Sequence, residues 1–302
     1  MISVVDFSRL KSIVDENLIG FLPEMDSNSS PLYESMIYTL TGDGKRLRPV
    51  LLLLACEFVG GDVKQAIPYA CAVEYIHNYS LIHDDLPSMD DDDLRRGEPT
   101  NHKVFGEAVA ILAGDGLLSS AFELMNRDCL LYFDKPDLLK RRIRAIAEIL
   151  KASGCRGMIA GQVADIDAGN KVISHELLDY IHLNKTSALI SASIVAGAYL
   201  GNANQDVIIK MRIYGENLGL AFQIVDDILD MVGEKDVMGK TTGQDDIANM
   251  PSYPLTHGLE KSYERLDELT EKAIEAISDC NVEESMINNF IEIAKSLAKR
   301  TK

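Results

Sequence analysis

The sequence has no tryptophan, few aromatic residues (6%), no cysteines spaced as CxxC, and far fewer basic than acidic residues. Its 30 lysines and arginines against 47 aspartates and glutamates give a formal net charge of −17. This charge argues against a nucleic-acid backbone or an anionic membrane surface as the main partner, because both attract positively charged faces. The five cysteines are odd in number and scattered, so we interpret them as reduced core residues of a cytoplasmic protein.

Long apolar runs are also lacking. No run of about 18 apolar residues occurs without a charged side chain, so stable membrane insertion is not expected. The N-terminal stretch carries Asp6, Asp15 and Glu16 and has neither the basic nor the continuous apolar region of a signal peptide, so we expect an amphipathic helix there. The 46% of hydrophobic residues is nevertheless enough for a large core.

The apolar residues recur mostly at helical spacing, and few alternating segments bounded by turns are present, which predicts an all-α protein. No linker or repeat divides the chain, so we predict one domain over residues 1–302. The stretch 233–254 lacks helical periodicity and is rich in Gly, Asp, Lys and Thr, which is typical of a lid. The predicted helices span about 3–20, 31–41, 44–59, 64–86, 105–126, 136–153, 174–198, 205–232, 255–278 and 282–298.

Two of these helices are apolar on most sides and end in aspartates. The first, Tyr69–His83, contains Glu74 as its one fully charged residue and leads into the aspartate-rich stretch Ser80–Gly97 (SLIHDDLPSMDDDDLRRG). The second, Val207–Leu229, runs into DDILD at Asp226–Asp230. Helices that are apolar on most faces are buried in a bundle, so these carboxylates would lie at the mouth of an apolar interior. This arrangement suggests a ligand with a charged head and an apolar tail.

The spacing of the aspartates favours a magnesium site. Asp226 and Asp230 are four residues apart, which places them on one helix face about 5–6 Å from each other. Pro87 is expected to end or kink the first helix, so that Asp90 could return beside Asp84. Mg²⁺ prefers one or two carboxylates together with phosphate oxygens and water, so two facing clusters suit a bound diphosphate. One aspartate run alone could equally be a solvated surface; two runs, each closing a buried helix, make that interpretation less favoured.

Basic residues appear at a few places in this acidic chain: Lys45, Arg46 and Arg48 in GKRLRP, then Arg95, Arg96, Lys185 and Lys240. Arginine binds phosphate oxygens through two donors and lysine binds as a point charge. Taken alone, GKRLRP could be a surface patch at a helix start, and His77 could be an ordinary core histidine. Thr186 lies inside an apolar helix, where its hydroxyl could bond back to the His182 carbonyl and bend the helix.

Taken together, these motifs resemble a known family. GKRLRP, IHNYSLIHDDLPSMDDDDLRRG, Lys185–Thr186, FQIVDDILD and Gly239–Lys240 occur in the order typical of trans-polyprenyl diphosphate synthases, and the sequence resembles the bacterial farnesyl diphosphate synthases in particular. The resemblance covers nearly the whole chain. It implies an all-α bundle of about ten or more helices around a deep central cavity, a homodimer, Mg²⁺ as cofactor and small-molecule diphosphates as substrates. The implied reaction joins isopentenyl diphosphate head-to-tail to an allylic diphosphate and releases pyrophosphate.

The resemblance also implies roles for individual residues. Asp84, Asp90 and Asp226 would carry Mg²⁺, with Asp85, Asp227 and Asp230 beside them. The isopentenyl diphosphate site would consist of Gly44, Lys45, Arg48, His77 and Arg96. The allylic diphosphate site would consist of Arg95, Lys185, Thr186, Gln223 and Lys240. The catalytic residues would be Lys185, Thr186 and Gln223, whose dipoles would face the allylic cation while pyrophosphate accepts the proton.

Two details refine this expectation. Family members often have a lysine two residues before the final Thr-Tyr-Pro, where this sequence has Met250, and the lost charge would weaken diphosphate binding unless the lid replaces it. Ser80 and Tyr79 lie about 6 and 7.5 Å along the helix from Asp84, where a growing tail would reach, and a bulky Tyr79 would close the cavity.

We therefore predict a fifteen-carbon product, farnesyl diphosphate. Geranyl or geranylgeranyl diphosphate is the alternative product, and a noncatalytic subunit of a heteromeric synthase is a less favoured alternative. A terpene cyclase would have no need of GKRLRP. The sequence assigns no role to residues 91–93, three further aspartates of the first cluster.

Overall fold

The computed structural model describes residues 4–24, 26–169, 173–237 and 252–299, and most of these residues are helical, which confirms the all-α prediction. The helices are α1 (Val4–Leu18), α2 (Ser30–Thr41), α3 (Leu47–Phe58), α4 (Val63–Asp84), α5 (Asn101–Phe105), α6 (Glu107–Leu130), α7 (Pro136–Ser153), α8 (Met158–Ala168), α9 (His175–Ile181), α10 (Ala188–Leu200), α11 (Gln205–Val237), α12 (Tyr253–His257), α13 (Leu259–Ser278) and α14 (Glu284–Ala298). A 3₁₀ turn, Ser27–Ser29, precedes α2, and a π-helical segment, His182–Ser187, joins α9 to α10. Strands β1 (Leu94–Arg95) and β2 (Glu98–Pro99) form a small antiparallel hairpin.

Helix α10 lies in the centre of the bundle, where it packs against α3, α7 and α11. Its sequence carries no charge, and all of its residues except Ala188 and Tyr199 are buried, because neighbouring helices cover every side. Gly197 allows the close approach to α3: a Cβ at this position would lie 2.0 Å from the Leu52 carbonyl oxygen. This central helix holds the π segment at its N-terminal end in a fixed position.

Helix α8 is an element that the sequence analysis missed. Its apolar residues Ile159, Val163 and Ile166 are 42%, 61% and 53% exposed, whereas Gln162 and Asp165 are partly buried. Periodicity analysis assumes that the apolar face of a helix points inward. Helix α8 has the reverse arrangement, so its pattern did not indicate a helix packed on the core.

Several boundaries also differ from the prediction. The predicted helix 105–126 corresponds to α6, which begins after Gly106 with a φ of 82°, and the short helix α5 before it was not predicted. The predicted helix 174–198 contains the π segment, and the predicted helix 255–278 is divided at Gly258, with a φ of 87°. The proposed lid, 233–254, begins as the last turn of α11; residues 238–251 lie outside the described part of the chain.

Helix α6 is long and apolar enough, by length and composition, to cross a membrane, with a mean hydropathy of 1.5 in its most apolar window. No such segment was expected from the sequence, since charged residues such as Asp115 and Glu123 interrupt this stretch. Helices in the core of globular proteins meet the same criterion, and 44% of this window is buried. One face of α6 packs on α4, while Leu112 and Phe122 on another face are exposed.

Candidate active site

The first aspartate cluster is shaped by the end of α4. Pro87 follows the last helical turn, and the chain then folds back so that the Asp90 amide donates to the Asp84 carbonyl at 2.9 Å. The expected return of Asp90 to Asp84 is therefore confirmed. Burial, opposed by the charge of Lys185 and assisted by that of Asp90, raises the pKa of Asp84 to about 6. The Asp84 and Asp90 carboxylates thus repel each other in a partly buried site, which favours a bound cation.

Lys185 lies in the π segment and faces this cluster. Its ammonium nitrogen is 2.6 Å from Asp165 Oδ2 on α8, and its charge opposes the rise that burial causes in the pKa of Asp84 and of Asp90. Gly161 lets α8 approach: a Cβ there would lie 2.2 Å from the Lys185 backbone nitrogen. Asp165 is thus a site residue that the sequence analysis missed. Two polar residues three apart, Gln162 and Asp165, on one face of a mostly apolar stretch were the signal that could have found it.

Thr186 connects the π segment to α11. Its hydroxyl donates to Gln223 Oε1 at 2.7 Å, so the predicted bond back to the His182 carbonyl is wrong. The helix is irregular at this point, as expected, but its irregularity is a π-helical turn rather than a bend made by the threonine. Gln223 then donates from Nε2 to Asp227 Oδ1 at 2.9 Å. The three residues form one hydrogen-bonded line from the π segment to the second aspartate cluster.

Asp227 is held in place by its neighbours. The Tyr253 amide at the start of α12 donates to Asp227 Oδ2 at 2.8 Å, and His182 Nε2 lies 3.4 Å from the same oxygen. Burial lowers the pKa of His182 to about 4, so the imidazole is neutral and this contact is not an ion pair. Burial raises the pKa of Asp227 to about 6, while the Tyr253 and Gln223 donors oppose that rise. Asp227 therefore links α12 to the aspartates of α11.

The five residues predicted to receive isopentenyl diphosphate lie together. Gly44, Lys45, Arg48, His77 and Arg96 line one cavity of about 720 Å³. His77 Nε2 lies 3.5 Å from Arg48 Nη1, and burial together with the nearby arginines lowers the pKa of His77 well below its usual value. The Arg48 Nε donor is buried and has no hydrogen-bond partner among the described residues. A cavity with this donor, a neutral histidine and several cations suits a phosphate-bearing ligand.

Arg46 has a different role from its basic neighbours. It is 5% exposed and takes a left-handed backbone conformation with φ of 51°. Its guanidinium donates to Asp15 at 2.8 Å and to Glu74 at 2.9 Å, and also to the carbonyls of Leu40 and Gly42. Arg46 is a structural residue that fixes the GKRLRP loop.

The aspartates 91–93, for which the sequence analysis found no role, stabilise the turn around the hairpin. Asp92 Oδ2 lies 3.0 Å from Arg95 Nη2, and Arg95 also donates to Asp85. Asp93 lies 2.6 Å from Lys103, and Asp91 has a φ of 53° in the turn. Arg95 is thus held by two carboxylates in this structure.

Arg95 and Asp85 also line a second cavity of about 430 Å³ together with Arg96, between α2, α4 and the hairpin. Asp226 and Asp230 lie at the C-terminal part of α11. Burial lowers the pKa of Arg48, and the charge of Asp226 opposes that change, so Asp226 lies near the basic cavity. The smaller cavity adjoins the first cluster.

The two chain-length residues lie on α4 one turn before Asp84. Tyr79 is 7% exposed, and its ring meets the His83 ring edge-on. Ser80 is partly buried, and its hydroxyl donates to the His77 carbonyl at 2.8 Å. Gly239, Lys240 and Met250 lie outside the described residues, so their predicted contributions stay predictions.

The donor set fits a magnesium ion that binds together with diphosphate. Among the described residues, no group of three carboxylate, histidine or cysteine side chains lies close enough to hold a metal by itself. Asp84 and Asp90 can offer two carboxylates, and Mg²⁺ usually completes its octahedron with substrate phosphates and water. The carboxylates present therefore match a metal that is shared with the substrate rather than one held in an all-protein cage.

Comparison with known proteins identifies the class. The family model described as polyprenyl synthetase matches residues 29–289. Geranylgeranyl pyrophosphate synthase 7 of Arabidopsis thaliana is 46% identical over 272 residues, which cover 89% of this chain and 76% of that protein. Farnesyl diphosphate synthase of Bacillus subtilis is 40% identical over 283 residues, 94% of both chains. The crystal structure of an FPP/GFPP synthase from Zymomonas mobilis matches with a TM-score of 0.84 and 32% identity, covering 99% of this chain and 100% of that one.

The fold is that of the all-α isoprenoid synthases. Enzymes of the polyprenyl synthetase family use a divalent metal as cofactor. The chain belongs to the polyprenyl synthetase family, the prenyltransferases of isoprenoid biosynthesis, as the motif order in the sequence predicted. Its relatives include synthases of both geranylgeranyl and farnesyl diphosphate.

Proposed function

We propose that this protein condenses isopentenyl diphosphate with dimethylallyl diphosphate and then with geranyl diphosphate to give (2E,6E)-farnesyl diphosphate. The observation that carries this proposal is the cavity lined by Lys45, Arg48, His77 and Arg96, which adjoins the aspartates of α11. A single-substrate enzyme would need only the aspartate site. A condensation of two diphosphates requires a further site for the second diphosphate, and the basic cavity of about 720 Å³ would supply it.

Breaking the allylic carbon–oxygen bond produces a carbocation and a departing pyrophosphate. Mg²⁺ bound through Asp84, Asp90 and Asp226 would neutralise the charge that develops on this leaving group. Lys185 is positioned by Asp165 to add a further positive charge there. Such preorganised charges stabilise a transition state because they need no rearrangement during the reaction.

The Thr186–Gln223 pair would stabilise the carbocation itself. The Thr186 hydroxyl donates to Gln223 Oε1, which leaves the threonine oxygen lone pairs available to face a positive carbon. The π segment supplies the Lys185 carbonyl from the same turn. The pyrophosphate released in the first step then accepts the proton that isopentenyl diphosphate loses when the new double bond forms.

The same protein is expected to act as a homodimer. Exposed apolar side chains on α6, α7 and α8, among them Leu112, Ile143 and Val163, are 58%, 55% and 61% exposed. Exposed apolar surfaces on this scale commonly mark protein–protein contacts. Sedimentation equilibrium would measure the mass in solution.

The test of the reaction is to incubate the protein with Mg²⁺, labelled isopentenyl diphosphate and either dimethylallyl or geranyl diphosphate, and to chromatograph the dephosphorylated products. A fifteen-carbon product supports the proposal. A twenty-carbon product would replace it by geranylgeranyl diphosphate synthesis, which the similarity to plant geranylgeranyl synthases favours. Absence of condensation would refute the enzyme assignment.

Tyr79→Ala is expected to lengthen the product by one or more isoprene units, because it removes the aromatic ring that would close the tail cavity. The measurement is the chain-length distribution under the same assay, with Tyr33→Ala on α2 as the matched control. An unchanged distribution in Tyr79→Ala would show that another residue limits the product.

Asp165→Asn is expected to lower kcat/KM for the allylic substrate about tenfold, since Lys185 would lose the partner that positions it. Asp167 is an exposed residue on the same helix, so the variant Asp167→Asn serves as the control and is expected to have the kinetics of the parent protein. Equal kinetics for both variants would mean that Lys185 is positioned without Asp165.

A further inference from the structure

His83 is a residue next to the metal cluster for which the reaction described above has no use. It is the last residue of α4 before Asp84, and its imidazole lies on the backbone of α6, with Nε2 3.0 Å from the Ile111 carbonyl oxygen. A carbonyl can only accept, so Nε2 carries the hydrogen and donates it. The ring is therefore fixed against the neighbouring helix.

Gly114 provides the room for this ring. A Cβ at position 114 would lie 2.1 Å from His83 Nε2 and 2.4 Å from Cδ2, closer than any real Cβ contact. Even alanine at this position would displace the imidazole. His83 and Gly114 are thus a matched pair at the α4–α6 interface, where the two helices pack closely.

The other contact of His83 is Tyr79, one turn earlier on α4. The two ring centroids are 5.8 Å apart with an interplanar angle of 80°, an edge-to-face arrangement that aromatic rings favour. Among the described residues, no hydrogen bond to the Tyr79 hydroxyl is present, so the hydroxyl does not fix the orientation of the ring. Packing therefore orients the Tyr79 ring, and the His83 ring is the aromatic neighbour that it contacts edge-to-face.

We propose that His83, seated on Gly114, is the positioning residue that holds Tyr79 in place as the floor of the tail cavity and thereby determines product length. The inference rests on the proposed function, in which Tyr79 closes the cavity. Its physical basis is the chain of contacts from the α6 backbone through the His83 ring to the Tyr79 ring. Without His83, the tyrosine ring can rotate into the vacated space, and the cavity gains depth.

The test compares His83→Ala and Gly114→Ala with the parent protein, with Tyr79→Ala and with Gly116→Ala. Gly116→Ala is the matched control because it makes the same change on the same helix, where the nearest atom is the flexible Met36 sulfur at 3.1 Å. We expect the ratio of longer to parent-length product to rise about tenfold in His83→Ala and Gly114→Ala. An apolar pocket discriminates against a substrate that is too long by about tenfold or more, and these variants would lose that discrimination. Gly116→Ala is expected to keep the parent ratio.

Melting temperatures separate positioning from general damage. Gly114→Ala alone should lower the melting temperature, whereas the double variant His83→Ala/Gly114→Ala should recover much of that loss because the new methyl group no longer clashes with an imidazole. The double variant should retain the longer products even though its stability is restored. Recovery of the parent product together with stability would overturn the proposal.

The outcomes distinguish this inference from the proposed function. Absence of condensation by the parent protein refutes the proposed function itself. Longer products from Tyr79→Ala but an unchanged distribution from both His83→Ala and Gly114→Ala overturn the role of His83 alone. If His83→Ala forms no product because Asp84 is disturbed, Gly114→Ala, which keeps the histidine, still decides the question.

Discussion

Replacing Asp84 by asparagine is expected to lower turnover by about 10³-fold while leaving the fold intact. The substitution removes a carboxylate that would hold the metal and stabilise charge on the leaving pyrophosphate. Because burial disfavours the charged form of Asp84, whose pKa is about 6, a neutral amide should not reduce stability. Asp226→Asn should have a similar effect on turnover from the opposite side of the site.

The measurements are kcat with both substrates across a range of Mg²⁺ concentrations and the melting temperature of each variant. Asp93→Asn is the matched control: its partner Lys103 is 43% exposed and Asp93 itself is 78% exposed, so this surface pair should contribute little. Near-normal turnover in both Asp84→Asn and Asp226→Asn would refute the metal assignment. If Asp93→Asn lowered turnover as much as Asp84→Asn, the loss would come from disturbing the loop rather than from removing a metal ligand.

Arg46→Met is expected to destabilise the protein by about 3–5 kcal/mol, the usual cost of removing one partner of a buried ion pair. The change would leave Glu74, which is 2% exposed, without its counter-charge, and would remove donors from two backbone carbonyls. The GKRLRP loop would lose its anchor, so KM for isopentenyl diphosphate should rise as well. Denaturant unfolding measures the first effect and steady-state kinetics the second.

Lys45→Met provides the control at the adjacent position. Lys45 is exposed and lines the basic cavity, so its loss should change the free energy of unfolding by less than about 0.5 kcal/mol while raising KM for isopentenyl diphosphate. Adding Glu74→Gln to Arg46→Met should recover part of the stability, because no unpaired buried carboxylate then remains. Equal stability of Arg46→Met and the parent protein would contradict the structural role of Arg46.

These neighbouring residues show what a motif can and cannot reveal. GKRLRP presents three basic side chains as equivalent candidates for an anion. In the structure all three border the basic cavity, but the Arg46 guanidinium is buried and paired with Asp15 and Glu74. Asp15 and Glu74 are far from the motif in the sequence. The letters of the motif alone therefore do not indicate which of its basic residues forms these ion pairs.

The same distinction applies to the aspartates. Pro87 and the spacing of its neighbours predicted the return of Asp90 to Asp84, because a proline acts on the residues next to it. The partners of Asp92 and Asp93 are the nearby Arg95 and Lys103, but the hairpin that brings them together was not predicted, since its strands have only two residues each. An alternating pattern needs a longer segment to become visible.

The sequence by itself determined the all-α class, the family, and the residues that form the aspartate clusters and the basic cavity. These features depend on periodicity, proline and motif order, which act over a few residues or are carried directly by residue identity. Only the tertiary structure decided that Asp165 on α8 holds Lys185, that Thr186 bonds to Gln223 rather than to its own helix, and that Gly114 seats His83. Each of these contacts joins residues at least 20 positions apart, so helix packing, rather than any local pattern, brings them together.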